Sequence, residues 1–302
     1  MKNRLVFLPA AVIVLALLLV GTFFDLSISQ NIVQINNLFS KVFAIFASLP
    51  ATIASGVIVG FLIQLLIHQY SKIWSKILLA LFALICLLLS VFIFGEAITS
   101  YHSFDLPRAY FALGFVVTIP SAVLGYFLYR FTDNKTLLRN VIFLVVVLVI
   151  VSGSVEVIKH LVPRVRFTAV SQMPGGLDFY RPWYLSNLTN EQVAQVKEWV
   201  ASHPTLGGEE HESFPSGHSA IALATILILI YLPRIFPRTR LLKYQWILFY
   251  CGFLHLLIVA FSRIYGGAHY LSDTMFSAFL GLIVYFIANE IYIRKIIREA
   301  KV

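Results

Sequence analysis

The sequence predicts an all-α fold, a polytopic transmembrane helical bundle of about eight spans with one long external loop. Two observations carry this prediction. Hydrophobic residues make up 59% of the 302-residue chain and charged residues only 12%, with a mean hydropathy of +0.86, whereas soluble domains average about 45–50% and about 25%. The apolar residues also form runs of about 20, the length that crosses a bilayer as a helix. This composition excludes disorder, a secreted disulfide scaffold and a soluble nucleic-acid-binding domain.

Charge and cysteine content agree with a membrane protein. The net charge is +9, but the basic residues are scattered between apolar runs instead of being massed on one domain, so we expect no nucleic-acid partner. Cys86 and Cys251 both lie inside apolar runs. They therefore predict no disulfide framework and are expected to pack as small hydrophobes.

Eight candidate spans follow one another along the chain: residues 5–26, 51–70, 77–97, 109–129, 140–160, 217–234, 245–262 and 271–293. The first run follows Lys2 and Arg4, as in a signal peptide, but it is long and has no persuasive small-residue cleavage site, so we expect a span. Segment 27–50 is rich in Phe, Val and Ile, and this pattern is compatible with a segment that lies on the membrane surface or re-enters it.

The distribution of Lys and Arg predicts the orientation, because short cytoplasmic loops retain these residues. With the N-terminus inside, 15 of the 23 fall in cytoplasmic segments: Lys2, Arg4, Lys72, Lys76, Arg130, Lys135, Arg139, Arg234, Arg238, Arg240, Lys243, Arg294, Lys295, Arg298 and Lys301. We therefore expect a multi-pass protein of the cell membrane with both termini cytoplasmic and the long loop outside.

The motif content suggests two parts. Residues 1–130 form N-terminal transmembrane helices without a motif, and residues 131–302 form core helices with an external loop at about 161–216. No repeat or flexible linker is evident. Within the loop, residues 190–201 alternate valines with polar side chains, which predicts a short amphipathic helix.

Charged residues at the edge of a membrane domain are costly, so each is a functional candidate. Lys159 and Arg166 lie at the outer end of the fifth span and are seven residues apart, which is about two helical turns. Both side chains could therefore face the same side of a helix if Pro163 does not redirect the chain. In a second cluster, Phe214–His218, a proline, a hydroxyl and a glycine precede an apolar run. A helix that begins in this way presents free backbone N–H groups to an anion.

The third cluster, Ser262–Asp273, lies between the seventh and eighth spans. His269 and Asp273 are four residues apart, so on a helix the carboxylate lies one turn from the ring and can hold it by a hydrogen bond. All three clusters fall on the predicted outer face. Together they supply three cations, a helix N-terminus and two histidines, a set that suits a phosphate group. One histidine could attack phosphorus while the other protonates the leaving oxygen.

These clusters resemble the three signature motifs of the type 2 phosphatidic acid phosphatase superfamily. The first motif is Lys, six residues, then Arg-Pro, and here Lys159 and Arg166 match it while Phe167 replaces the proline. The second motif, Pro-Ser-Gly-His, is matched by Pro215–His218. The third, Ser-Arg, five residues, His, three residues, Asp, is matched in full within Ser262–Asp273. The resemblance covers about residues 140–290 and leaves the first four spans unassigned.

The resemblance implies a role for each motif residue. His269 would be the nucleophile that forms a phosphohistidine, Asp273 would orient and polarise it, and His218 would be the general acid and then the base that activates water. The residues expected to hold the phosphate are Lys159, Arg166, Ser216, Gly217 and Arg263. The family scheme implies no metal and no cofactor, because side-chain cations do what Mg²⁺ does in other phosphoryl-transfer enzymes.

Several residues outside the motifs keep two interpretations. Arg164 suits either a fourth phosphate contact or a solvated, headgroup-facing position, and Glu156 suits either a pair with Lys159 or a structural hydrogen bond to another helix. The aromatic segment 178–184 is typical either of a cover over the site or of an interfacial belt.

Histidines outside the motifs have weaker functional interpretations. Their spacing resembles no standard metal-ligand set, so His160, His203 and His211 do not predict a metal site. His255 lies inside the seventh span and is expected to be a packed residue.

The sequence thus predicts a membrane enzyme, a phosphatase that hydrolyses the phosphate monoester or pyrophosphate of a lipid at the outer membrane face. Phosphatidic acid, phosphatidylglycerol phosphate and polyprenyl pyrophosphates such as undecaprenyl pyrophosphate are the candidates that the family suggests. One alternative is a lipid phosphotransferase that uses the same site. Another is a lipid or anion transporter that binds without reacting, although no pair of interrupted helices supports it.

Overall fold

The computed structural model describes residues 4–68, 72–99, 112–185, 188–203 and 210–299. These residues form ten α-helices and contain no β-strand. The helices are α1 (Arg4–Ile32), α2 (Leu38–His68), α3 (Ile73–Thr99), α4 (Leu113–Leu128), α5 (Asn134–Leu161), α6 (Phe167–Gln172), α7 (Asn190–Ala201), α8 (Gly217–Ile235), α9 (Gln245–Tyr265) and α10 (Leu271–Glu299). All but α6 and α7 are long and apolar enough to cross a membrane, which makes eight candidate spans. The predicted polytopic helical bundle is confirmed.

Parts of some predictions lie outside the described residues: the ends of two spans at 69–70 and 109–111, loop residues 186–187 and 204–209, and Lys2 and Lys301 of the charge count. The amphipathic helix predicted at 190–201 is confirmed as α7, which begins with a capping box between Thr189 and Gln192.

The prediction of a surface or re-entrant segment at residues 27–50 is wrong. α1 continues to Ile32 and α2 begins at Leu38, so only residues 33–37 separate them. Asn36 adopts a left-handed φ of 65°, a conformation that asparagine tolerates. Asn37 then caps α2, because its Oδ1 accepts a hydrogen bond from the Ser40 N–H at 2.6 Å. The apolar residues of this segment are therefore the first turns of the second span.

The helices pack as two compact units. Unit 1 comprises Met1–Ala44, Val145–Leu223 and Phe253–Val302, and unit 2 comprises Ile45–Leu144 and Ala224–Gly252. This grouping by packing differs from the division at residue 130 that motif content suggested. In particular, α1 carries no motif but belongs to unit 1 together with every motif residue.

Small residues let the helices of unit 2 approach closely, as is usual between membrane helices. A Cβ atom added at Gly60 would lie 2.1 Å from the Ala122 carbonyl oxygen, and one added at Gly125 would lie 2.2 Å from the Val57 carbonyl oxygen. The Ser90 and Thr118 hydroxyls, on α3 and α4, are 2.8 Å apart. Backbone packing and hydroxyl hydrogen bonds therefore hold α2, α3 and α4 together.

The segment between α5 and α8 is a folded part of unit 1. Val165 and Phe167 of this segment, Val196 of α7 and Tyr270 at the start of α10 share one buried apolar cluster. The segment therefore contributes to a buried apolar core, although its described residues include no candidate membrane-spanning helix.

The packing of α1 against α10 places the unassigned first span beside the third motif. Leu18 of α1 is buried in a cluster with Met275 of α10. A Cβ atom added at Gly21 would lie 2.5 Å from the Ser272 backbone nitrogen and 3.0 Å from the Asp25 carboxylate. Only glycine allows this approach.

We expect Gly21→Ala to destabilise the protein, because the added methyl group overlaps the α10 backbone and such overpacking costs about 1–3 kcal/mol. Thermal unfolding of the purified protein in detergent would measure this. Gly153→Ala is the matched control, since an added Cβ there has nothing within 4 Å. A Gly21→Ala protein as stable as Gly153→Ala would contradict the close approach of α1 and α10.

Candidate active site

All eight predicted site residues lie in unit 1. They occupy helix ends or the turns beside them. Lys159 is in the last turn of α5, Arg166 directly precedes α6, Arg263 is in the last turn of α9, and Asp273 is in the first turn of α10. His269 lies in the turn between α9 and α10.

Lys159 and Arg166 do not share one continuous helix. α5 ends at Leu161, before Pro163, and Arg166 is extended, with φ −67° and ψ 150°. The chain is therefore redirected at the proline, as the residue's missing N–H and fixed φ favour.

The second motif forms a helix N-terminus, as its sequence predicts. Gly217 is the first residue of α8, and the Ser216 Oγ accepts a hydrogen bond from the Ser219 N–H at 3.3 Å. A Cβ atom added at Gly217 would lie 3.7 Å from the Lys159 Nζ. The ammonium group of motif one therefore lies directly beside the N-terminus of α8.

The two motif histidines face the same region. The ring centroids of His218 and His269 are 6.4 Å apart. The pKa of His269 lies well below its usual value. Burial is the largest cause, and the positive charges of Arg166 and Arg263 come next, followed by His218 and Lys159. The ring of His269 is therefore neutral near pH 7, the form in which a histidine nitrogen is nucleophilic.

A backbone carbonyl fixes the orientation of His269. The ring Nδ1 lies 2.6 Å from the Ser213 carbonyl oxygen, so a neutral ring donates its proton there and leaves Nε2 as the free nucleophilic nitrogen. Asp273 does not form the direct hydrogen bond that its spacing suggested, since its Oδ2 is 3.9 Å from Nδ1. That oxygen instead accepts hydrogen bonds from the Ser213 hydroxyl at 2.5 Å and the Tyr270 N–H at 2.8 Å.

Acidic and carbonyl groups hold the motif arginines. Arg166 Nη1 is 3.8 Å from the buried Glu210 carboxylate, and its backbone N–H donates to the Glu210 carbonyl at 2.7 Å. Arg263 is also buried, and its Nη1 donates to the Ser40 carbonyl at 3.4 Å. Both guanidinium groups are therefore positioned by groups outside the three motifs.

Arg164 fits neither of its two interpretations, because it is completely buried between carboxylates. Its Nη2 lies 2.9 Å from Asp25 Oδ2, and its Nη1 lies 2.5 Å from Asp273 Oδ1. Its guanidinium carbon is 4.0 Å from the Tyr270 ring centroid. Burial alone would lower the pKa of Arg164, but Asp273 and Asp25 raise it above its ordinary value, so the group is charged.

The aromatic segment 178–184 packs against the second motif. Trp183 stacks on Phe214 with ring centroids 5.4 Å apart, and its indole N–H donates to the Thr22 hydroxyl of α1 at 3.1 Å. The ring of Tyr180 lies 5.5 Å from that of Tyr270. The segment is therefore fixed to both α1 and the residue that precedes Pro215.

Residues outside the motifs take other positions. The Glu156 carboxylate lies 4.0 Å from the Lys159 Nζ, which favours the pairing interpretation. His160 and His211 both approach Glu212, at 3.7 Å and 3.4 Å, whereas His203 stacks on Trp199.

Sequence reasoning missed Asp25, Ser213 and Glu210. A signal existed for Asp25, since it is an acid at the end of an apolar span, where charge is costly. Ser213 makes contacts through its backbone carbonyl as well as its hydroxyl. Every residue has a backbone carbonyl, so the amino-acid type does not indicate that contact. Glu210 stood among other acids of the loop, so nothing distinguished it.

We expect Arg166→Gln to raise the pKa of His269, because removing a nearby cation makes protonation of the ring less unfavourable. The shift is measurable by NMR titration of protein with ¹³C-labelled histidine, with the His269 signal assigned from a His269→Gln variant. Lys197→Gln, at an exposed position on α7, is the control and should leave the titration unchanged. An unchanged or lower midpoint in Arg166→Gln would show that this arginine does not act on His269.

Comparison with known proteins agrees with this geometry. The model of the PAP2 superfamily matches residues 140–296, which include every motif residue. Comparisons with curated proteins and with solved structures gave no significant match. Members of the matched family are phosphatases that act on phosphate esters. The family model spans more than half of the chain, and the protein therefore belongs to the PAP2 superfamily of phosphatases.

Proposed function

We propose that the protein is a membrane lipid phosphatase that removes a phosphate monoester or pyrophosphate group at the outer membrane face through a phosphohistidine intermediate. One observation carries the proposal: two histidine rings lie 6.4 Å apart, and Lys159, Arg166 and Arg263 surround them closely enough to lower the pKa of His269. Reacting atoms meet at about 3–3.5 Å, so a phosphoryl group fits between the two rings.

The first step transfers the phosphoryl group to His269. The Nε2 lone pair forms a bond to phosphorus while the bond from phosphorus to the leaving oxygen breaks. The negative charge of the bound phosphate favours the protonated form of His218, which donates its proton to that oxygen. The oxygen then departs as an alcohol or, from a pyrophosphate, as the monophosphate. The phosphorylated ring becomes positively charged, and the Asp273 carboxylate, 3.9 Å from Nδ1, stabilises it.

The second step reverses the role of His218. Neutral His218 takes a proton from water as the water oxygen attacks phosphorus, and the bond from phosphorus to Nε2 breaks. Inorganic phosphate leaves, and His269 and His218 return to their starting forms. Throughout, the three cations and the N-terminus of α8 stabilise the negative oxygens of the transferring group.

The position of the site along the spans supports a lipid substrate. Lys159 and Arg263 are near the ends of the candidate spans Leu137–Leu161 and Arg240–Tyr265, and Gly217 begins another. A site near the ends of these spans would let a headgroup enter while its acyl or polyprenyl tail remains in lipid. Phosphatidic acid, phosphatidylglycerol phosphate and undecaprenyl pyrophosphate all have this form.

We expect purified protein to release inorganic phosphate from one or more of these lipids in EDTA, and vanadate to inhibit because it resembles the five-coordinate transition state. His269→Ala and His218→Ala should each reduce the rate by at least about 10²-fold, the lower end of what a positioned acid or base contributes. His203→Ala, an exposed histidine stacked on Trp199, is the matched control. Full activity in both site variants would refute the mechanism.

The same assay separates the other functions. A newly phosphorylated acceptor in place of inorganic phosphate would identify a phosphotransferase. Movement of a phospholipid across proteoliposomes without phosphate release would identify a transporter.

The proposed orientation predicts a labelling pattern. In a protein with Cys86 and Cys251 replaced by Ala, we expect Ala194→Cys on α7 to react with a membrane-impermeant maleimide in intact cells. Thr239→Cys, in the exposed turn after α8, should react only after the membrane is permeabilised. The reverse pattern would place the active site on the cytoplasmic face.

A further inference from the structure

Asp25 is a buried carboxylate on a helix that carries no family motif. Only 2% of its surface is exposed, although it lies near the end of an apolar span. Its Oδ1 accepts a hydrogen bond from the Ser272 backbone N–H at 3.0 Å, and its Oδ2 accepts one from the Ser272 hydroxyl. Asp25 of α1 therefore satisfies a free N–H group in the first turn of α10, the turn that carries Asp273.

Asp25 also shares one cation with Asp273. Arg164 donates from Nη2 to Asp25 at 2.9 Å and from Nη1 to Asp273 at 2.5 Å and to the Ser272 hydroxyl at 2.9 Å. Its Nε donates to the Arg181 carbonyl at 3.0 Å. A planar guanidinium with all three nitrogens engaged has no freedom to turn, so it fixes the distance between the two carboxylates.

The contacts continue from Asp273 to the histidine. Asp273 accepts a hydrogen bond from the Ser213 hydroxyl at 2.5 Å. The carbonyl of the same serine accepts from the His269 Nδ1 at 2.6 Å. An unbroken series of contacts therefore runs from Asp25 through Arg164, Asp273 and Ser213 to the ring that carries the proposed nucleophile.

The charges in this series explain why a second carboxylate is needed. If Asp273 were the only carboxylate beside Arg164, the positive charge of Arg164 would largely cancel the electrostatic field of Asp273 at His269. With Asp25 present, two carboxylates share one guanidinium, and the group keeps one net negative charge beside the ring. That negative charge stabilises the positive charge that develops on the His269 ring when it is phosphorylated.

We propose that Asp25 is a positioning residue for the phosphatase reaction: it holds Arg164 and the first turn of α10, and so keeps Asp273 correctly placed behind His269. This inference rests on the proposed function, and it assigns to the first span a part in the reaction. Asp25 touches neither substrate nor the reacting atoms, so its effect is on the phosphoryl-transfer step and not on phosphate binding.

The test compares Asp25→Asn, Asp25→Glu and wild type in the purified full-length protein, with phosphate release and vanadate inhibition measured together. We expect Asp25→Asn to lower kcat about 10- to 100-fold, the loss that a displaced catalytic group causes, while KM and the vanadate inhibition constant stay within about threefold. Asp25→Glu restores the charge and should recover much of kcat. Glu198→Gln, at an exposed acid on α7, is the control and should match wild type.

Two results would overturn the inference. One is a kcat for Asp25→Asn within about twofold of wild type. The other is a parallel loss of kcat and vanadate affinity, since this is what collapse of the pocket produces. Absence of phosphate release from wild type would instead refute the proposed function, and the inference with it.

A second comparison applies even if Asp25→Asn alone does not fold. In an Arg164→Gln background, Asp25 has lost its cation and repels Asp273. Adding Asp25→Asn should then leave kcat unchanged or raise it, because the two residues act through each other. A further loss of more than about threefold would show that Asp25 acts independently of Arg164 and would overturn the inference.

Discussion

The arrangement of unit 1 depends on one buried cation. Arg164 is completely enclosed, and an isolated charge in such a place is very unfavourable unless it is paired and fully hydrogen-bonded. Its partners come from distant parts of the chain: Asp25 on α1, Asp273 and Ser272 on α10, and the Arg181 carbonyl of the segment between α5 and α8. Satisfying this guanidinium therefore requires all three parts to be in place at once.

Unit 1 uses its cations in two different ways. Arg164 has two carboxylates beside it and acts as a structural counter-charge. Lys159, Arg166 and Arg263 instead lie close enough to His269 to lower its pKa, so their combined field remains positive around the ring. An anion that enters this region is attracted by that positive field. One basic residue therefore stabilises the packing of unit 1, while the other three act on the ring of His269.

The sequence predicted the spans, the start of α8 and the family to which the motifs belong, because all of these depend on local patterns. A run of about 20 apolar residues identifies a span wherever it occurs, and the Pro215–His218 motif marks the start of α8 by its own turn residues. The missed features depend on contacts between distant residues. Asp25 and Arg164 are 139 positions apart, and no local pattern indicates that they meet. Segment 27–50 was misinterpreted because its apolar residues were assigned to a surface and not to the first turns of α2.

Trp183 limits how the segment between α5 and α8 can move. Its ring stacks on Phe214, next to the Pro215–His218 motif, and its indole N–H is bonded to Thr22 of α1. Swinging residues 178–183 outward as a flap would break the stacking and the hydrogen bond together and would pull on the start of α8. These residues form a fixed wall beside the start of α8, so the surface next to Pro215–His218 is preformed and does not depend on closure of a loop.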